Sequence, residues 1–385
     1  MGLAPLARFL TMVAIASPCI GGTVHSSEPE RKVAESDAAL TLQCPKCRIR
    51  LVHVVTLQGS GDSVLLDERG AVARDRDGNY FVWTSERGRI AKFDRLGRLL
   101  SMFGRSGSGP GEFGASFGPL VPLPDGRLAV FEPGAISIFK SDLKFESRLR
   151  QPVRVMGNPV AISARQIVVP GLLSSSEAIG YPLHVFDIAD GAISSFGADV
   201  RTFDSRKCSA CITRHLASAD TFGGLWVAKH RSYQLEHWQY RQRARTAVVR
   251  PVVPWFPAAI GNGLEEGELA ANPTIPVVRA LWRDSVDRLF VLGGATADGK
   301  VQRQRPRARG SVAPTPNLDV ARRKEVLDAI DSRTGARLAT LELAAPPYYK
   351  SMGSGYLSST EEDDEGAVRV RVSRVVLSTN TSGGK

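Results

Sequence analysis

Histidine, cysteine and long apolar runs are scarce in this chain, and each scarcity removes a class of function. Six histidines are spread over 385 residues. No two stand in an HxxxH or HExxH arrangement, which excludes the helix-borne zinc sites built on that spacing. Five cysteines are too few for a disulfide-dense scaffold. Beyond Phe9–Ala16 no stretch is apolar for long enough to cross a bilayer as a helix, so no integral membrane segment is expected. Acids are outnumbered: 50 Lys and Arg face 39 Asp and Glu, a net charge of +11, which raises the question of anionic partners.

What is present begins with an export signal. Arg8 supplies a positive start, Phe9–Ala16 a short apolar core, and Gly21 and Gly22 the small residues of a cleavage region. Residues 1–22 are therefore read as a signal peptide, with cleavage after Gly22 or Ser26, and the mature chain as periplasmic or secreted. Cys19 invites a lipoprotein reading, but Pro18 sits where such signals carry a small non-proline residue. The four remaining cysteines form two CxxC pairs, Cys44–Cys47 and Cys208–Cys211. An even count in an exported chain favours two local disulfides over a zinc site or free redox thiols.

The stretch from Val72 to Phe113 sets the architecture. Tyr80–Trp83, Arg89–Asp94 and Leu99–Phe103 read as short strands separated by turns at Asp77-Gly78-Asn79 and Leu96-Gly97. The unit recurs roughly every 45 residues. Its third strand carries an apolar anchor at Phe93, Phe139, Phe186, Trp238, Ile330 and Val370. Its second strand recurs over residues 80–84, 127–132, 166–171, 224–229, 288–293 and 355–360. The long step between Trp238 and Ile330 holds two insertions, a Pro/Gly-rich one (251–276) and an Arg-rich one (296–324). Meanders that are half apolar cannot bury both faces alone, so neighbours must stack around an axis. The expected fold is all-β: a six-bladed β-propeller over residues 49–377. A CxxC-bearing tail (23–48) precedes it and a polar tail (378–385) follows. The last unit stops after its third strand, and the orphan strand Ile49–Leu57 is expected to complete it, closing the ring and removing an open edge.

The series DGNYFV…GRIAKFDRLGRLL…FGRSGSGPGEF resembles the NHL-repeat propellers. The chain as a whole resembles exported bacterial six-bladed propeller proteins that begin with a CxxC followed by a strand. That resemblance implies the fold and no particular reaction, because related propellers include both enzymes and binding proteins.

Several motifs carry chemistry only in the right setting. The run Gly107–Gly111 lacks the helix that a phosphate cradle needs behind its glycines, so it reads as a blade-to-blade turn. The segment Lys300–Lys324 holds Arg303, Arg305, Arg307 and five further cations against Asp319 alone. It is a candidate binding loop, as is Trp255 in the Pro-rich insertion, which is either a lid or a packed loop. The acidic turn Glu361–Glu365 sits at the matching point of the next unit. Either it neutralises the basic insertion or the insertion is a solvated loop. No aromatics interleave the arginines for base stacking, and export removes the chain from nucleic acid, so no nucleic-acid partner is expected.

For catalysis, a propeller needs acids or histidines at the axis. Glu112 and His215 are the candidates, with Asn158, Asp220 and Asp284 behind them. Nothing in their spacing separates them from turn residues. No metal ligand set is specified. The expected function is a monomeric, non-enzymatic scaffold that binds a protein or small molecule on one face. The alternative is a metal-dependent lactonase/esterase-like hydrolase or lyase, with Ca2+ in the central channel.

Overall fold

A short aspartate turn shapes the blades. Asp75 Oδ1 accepts the Asn79 amide at 2.8 Å, and Gly78 closes the turn at a φ of 87°, a conformation that a side chain rarely tolerates. Asp94 repeats the device, its Oδ1 accepting the Leu96 and Arg98 amides at 2.9 Å. Asp284 does so again with Val286 and Arg288 at 3.0 Å. Each turn reverses a strand within a few residues, so the alternating runs between turns fold back as antiparallel meanders.

A computed structural model describes residues 42–58, 66, 70–84, 86, 88–114, 118–173, 181–197, 215–219, 223–230, 232–256, 276–296, 323–343, 349–362 and 368–379. All regular structure among these residues is β. Six sheets form six blades. Blade one comprises Val72–Arg74, Tyr80–Trp83, Ile90–Phe93 and Leu99–Phe103, and blade two Leu120–Pro122, Leu128–Glu132, Ala135–Phe139 and Phe145–Arg150. Blade three comprises Val160–Ala161, Gln166–Leu172, Leu183–Asp187 and Ile193–Phe196, with Arg154–Val155 added beside its second strand. Blade four is His215–Ala219, Gly224–Lys229, Leu235–Gln239 and Ala244–Val249, and blade five Val277–Arg283, Arg288–Thr296, Arg323–Asp331 and Arg337–Leu343. Blade six takes Tyr349–Gly353, Tyr356–Glu362 and Val368–Thr379 from the C-terminal end and Cys47–Leu57 from the N-terminal end.

The first strands of successive blades touch one another all the way round, blade six meeting blade one. The fold is therefore a closed six-bladed propeller with the first strands at its axis. The closing strand Cys47–Leu57 runs antiparallel to Val368–Thr379, from Cys47 opposite Thr379 to Leu57 opposite Val370, with a bulge between His53 and Val55. It begins two residues before the expected Ile49. A short parallel pair, Arg105–Ser106 with Glu112–Phe113, stiffens the Gly-rich connection after blade one.

The core is six wedges, one per seam between blades. Trp83, Phe113 and Phe139 fill the seam between blades one and two. Phe131 and Phe186 fill the next, and Phe196, Trp238 and Tyr240 the one after that. Tyr233, Trp255 and Phe256 pack between blades four and five. Trp282 stacks on Phe290 at 5.5 Å between blades five and six. Leu57, Phe93, Val370 and Val372 seal the last seam to blade one. The expected anchors Phe93, Phe139, Phe186, Trp238, Ile330 and Val370 all lie in this core.

Cys44 and Cys47 form a disulfide. Cys47 is buried in the seam of blades five and six, Cys44 packs beside it, and the Gln43 amide donates to Arg337 O at 3.0 Å. The bond thus fixes the turn from which the closing strand departs. Residues 1–41 with the signal segment and Cys19, Cys208 and Cys211, Asp220, and the insertion residues Arg303, Arg305 and Arg307 lie outside the described residues.

Candidate functional site

In a meander, the turns between strands one and two and between strands three and four share one face of the ring. The turns between strands two and three share the other with the blade-to-blade connections. We call these the lower and upper faces. The first strands, which border the axis, are basic among the described residues. They carry Arg74 in blade one, Arg279 and Arg283 in blade five and Lys350 in blade six, and no Asp or Glu. The Arg74 guanidinium lies 4.1 Å from the ring centre of Tyr356 and 5.9 Å from that of Tyr80, a cation–π arrangement. Lys350 Nζ donates to Gly70 O at 3.1 Å across the seam of blades six and one. Arg279 pairs with Glu325 and Arg283 with Asp287.

The carboxylates buried among the described residues are all engaged. Asp328, fully buried in the third strand of blade five, reaches back to blade four. Its Oδ2 accepts from Tyr233 Oη and from Trp255 Nε1, each at 2.8 Å, and its Oδ1 accepts from Thr340 Oγ1 at 2.5 Å. Burial pushes its carboxyl pKa up against the pull of these three donors. Burial, then the Asp328 charge, pushes the Tyr233 phenol well above its ordinary value. The outer end of the Trp255 indole lies against Gly293, where a side chain would collide with it. Its ring meets Tyr233 edge-on at 5.3 Å.

The others follow the same pattern. Glu325 joins Arg279 to the Tyr349 amide, which donates to its Oε2 at 3.0 Å. Glu132 accepts the Gly114 amide at 2.9 Å and pairs with Arg148 at 3.3 Å. Glu236 takes donors from Gln234, Trp238 and Arg245. Asp94 pairs with Arg98 at 2.6 Å. These are ties within and between blades, and among the described residues they leave no buried carboxylate free to ligate a cation or move a proton. Among the described residues, no group of three His, Cys, Asp or Glu is placed to hold a metal ion.

The residues nominated from sequence fall into separate places. Glu112 sits in the Gly-rich connection. Its Oε2 accepts the Gly109 amide at 2.8 Å and its Oε1 accepts from Arg105 Nε at 2.6 Å. Both interactions hold its carboxyl below the usual range. His215 does open the first strand of blade four, opposite Lys229. Asp284 caps its own lower-face turn and pairs with Arg288 at 2.6 Å. Asn158 is exposed. Trp255, a binding-loop candidate from the sequence, is buried at 9% exposure, so the described part of that insertion (251–256) is the packed loop of the two alternatives. Glu361 pairs with Arg371 of its own blade at 3.4 Å. His184 is wholly buried, with Nδ1 2.8 Å from Ser195 Oγ and Nε2 3.2 Å from Gly171 O, and burial pushes its pKa down. Among the described residues, the structure brings none of these nominees together.

Sequence reasoning did not find Asp328, Tyr233 and Glu325. A single acid in a strand matches no motif. The available signal was an aspartate inside the apolar run Val326-Leu327-Asp328-Ala329-Ile330, where an unpartnered charge would be costly.

No protein-family profile matches the chain, and no curated protein matches its sequence. Among solved structures it is similar to a member of the DUF4221 family from Bacteroides vulgatus, at 10% identity and a TM-score of 0.57, covering 86% of this chain and 99% of that one. It is also similar to a Bacteroides fragilis protein described as exported, at 10% identity and a TM-score of 0.50, covering 86% and 96%. No helix among the described residues is long and apolar enough to cross a membrane. At this identity the similarities show the fold alone: the chain is a six-bladed β-propeller of the same architecture as these proteins.

Proposed function

We propose that the chain is a non-enzymatic binding scaffold exported from the cytoplasm, a monomeric ring that holds a protein or small-molecule partner on its surface. Residues 1–22 direct export, a tail follows them and is pinned to the ring by the Cys44–Cys47 disulfide, and the ring runs from Cys47 to Thr379. One observation carries this reading: the buried carboxylates of the described residues are all committed to arginines, amides and indole or phenol donors that tie the structure together. A calcium-dependent hydrolase needs the reverse, several acids released from such ties and aimed at the axis. The described axial strands contribute Arg and Lys and no Asp or Glu. Low identity to a protein described as exported accords with the sequence signal and adds no activity.

The test is metal analysis of the purified mature chain, together with turnover of lactone and aryl-ester substrates with and without added Ca2+. The expected result is substoichiometric divalent metal and hydrolysis at the buffer rate. Stoichiometric tightly held Ca2+ with calcium-dependent turnover would overturn the proposal.

A further inference from the structure

The lower, outer part of blade six presents a cationic strip of sheet face, exposed at Arg48, Arg50, Val52 and Arg374 and continued by half-buried Tyr356 and Arg74 into the seam with blade one. The register places it. Arg374 stands opposite Val52 of the closing strand on one side and opposite Tyr356 on the other. Paired residues share a face, so Arg374, Val52 and Tyr356 form a row across the blade. Arg74 extends the row to the axis, its guanidinium 4.1 Å from the Tyr356 ring centre. Two and four residues before Val52, Arg50 and Arg48 fall on the same face by alternation, and both are exposed. The opposite face of this ribbon, with Cys47, Ile49 and Val375, is buried on blade five.

None of these four arginines has a carboxylate partner among the described residues; Arg48 Nη1 donates to the carbonyls of Pro45 and Cys47. Beside them Val52 is 49% and Val54 41% exposed, Val54 being the extra residue at the bulge. The closing strand is also an edge. Among the described residues it pairs only with Val368–Thr379. Cys47 spends its own N–H and C=O in the disulfide turn and Gly97 lies against the Thr56 carbonyl, so the edge open to another strand runs from Arg48 to Val54.

We propose that this edge docks an extended acidic peptide segment of a partner protein, which adds a strand to blade six. Its acidic side chains, two residues apart, lie over Arg48 and Arg50, and an apolar side chain follows beside Val52. Arg–carboxylate pairing supplies charge and geometry, and the edge supplies main-chain hydrogen bonds. A second copy of this chain is the poorer occupant. It would bring its own Arg48, Arg50 and Arg374 to the same ribbon, like charge against like, which is how edge strands avoid self-association. The inference rests on the binding-scaffold reading and names the class of partner.

The test is calorimetric titration of the mature chain with a blocked peptide of alternating glutamate and threonine ending in two valines. Two further peptides serve as probes: one with lysine for glutamate, and one N-methylated at alternate amides. The glutamate peptide is expected to bind. R48E/R50E should weaken it at least tenfold with thermal unfolding unchanged, and both altered peptides should lose binding. R374E, off the closing strand, gives the same readout if the double variant fails to fold. No binding of the glutamate peptide overturns the proposal, as does equal binding of the variants. Equal binding of the N-methylated peptide also overturns it, showing a polyanion patch in place of strand addition. The metal and turnover assays do not involve these residues, so a failure here leaves the scaffold reading standing.

Discussion

Removing the Asp328 carboxylate should be among the most damaging single changes to this fold, and replacing it by an amide among the mildest. The side chain satisfies two fully committed buried donors, the Tyr233 hydroxyl and the Trp255 indole N–H, each at 2.8 Å. In Asp328→Ala both are stranded in the seam between blades four and five. A buried donor left without an acceptor costs about 1–3 kcal/mol, so the two together should cost about 2–6 kcal/mol. In Asp328→Asn the amide oxygen still receives both donors, and its NH2 turns to the Thr340 hydroxyl, which accepts. That substitution should cost less than about 1 kcal/mol.

The pH dependence follows from the sign of the shift. Burial raises the folded-state pKa of Asp328 above its ordinary 3.8. The group's contribution is therefore fully present below that value and is lost as pH rises through the folded pKa. Asp328→Asn should remove that decline. Urea unfolding followed by circular dichroism at several pH values measures all three quantities. If Asp328→Asn proves as costly as Asp328→Ala, the hydrogen-bond account fails, and the ionic field shared with Arg337 must hold the seam.

Three further outcomes are expected. Replacing Cys44 and Cys47 by serine should cost about 2 kcal/mol, the chain-entropy value for a loop of about four residues, read as a lower urea midpoint; an unchanged midpoint would show that the bond does not constrain the closing strand. Gly293→Ala should displace the Trp255 indole that lies against it, at about 1–3 kcal/mol for overpacking, seen as altered tryptophan emission together with a lower melting temperature; native emission would contradict the packing. For His184, burial lowers the folded pKa below 6.5. Its contribution is then present above about pH 6.5 and drains away as pH falls, because the unfolded chain takes up the proton first. His184→Gln should flatten the stability slope between about pH 7 and pH 5, and an unaltered slope in the variant would refute the assignment.

The number and order of blades were legible because each strand writes its own signal. Apolar alternation names the strand, and an Asp or Gly turn names its end, so Phe93, Phe139, Phe186, Trp238, Ile330 and Val370 mark six third strands with no knowledge of contacts. Ring closure was legible for the same reason, since an incomplete last meander and an orphan first strand leave two edges that only each other can cover. Glu112 and Asp284 were readable as turn residues but not as turn-bound pairs with Arg105 and Arg288.

What the local pattern cannot carry is the relation between distant segments. Trp255 belongs to a Pro-rich insertion with no periodicity. Only the seam decides that its indole meets Asp328, 73 residues away, and that Gly293 makes room for it. Likewise Arg48, Arg50, Arg74 and Arg374 are unremarkable in sequence; strand register sets Val52 and Tyr356 beside Arg374 with Arg48 and Arg50 on the same face, and the seam of blades six and one brings Arg74 to Tyr356. Sequence by itself determined the ring, because strands and turns are specified within a few residues. Tertiary structure alone decided which charges are tied down and which remain at the surface, because that depends on which blades meet.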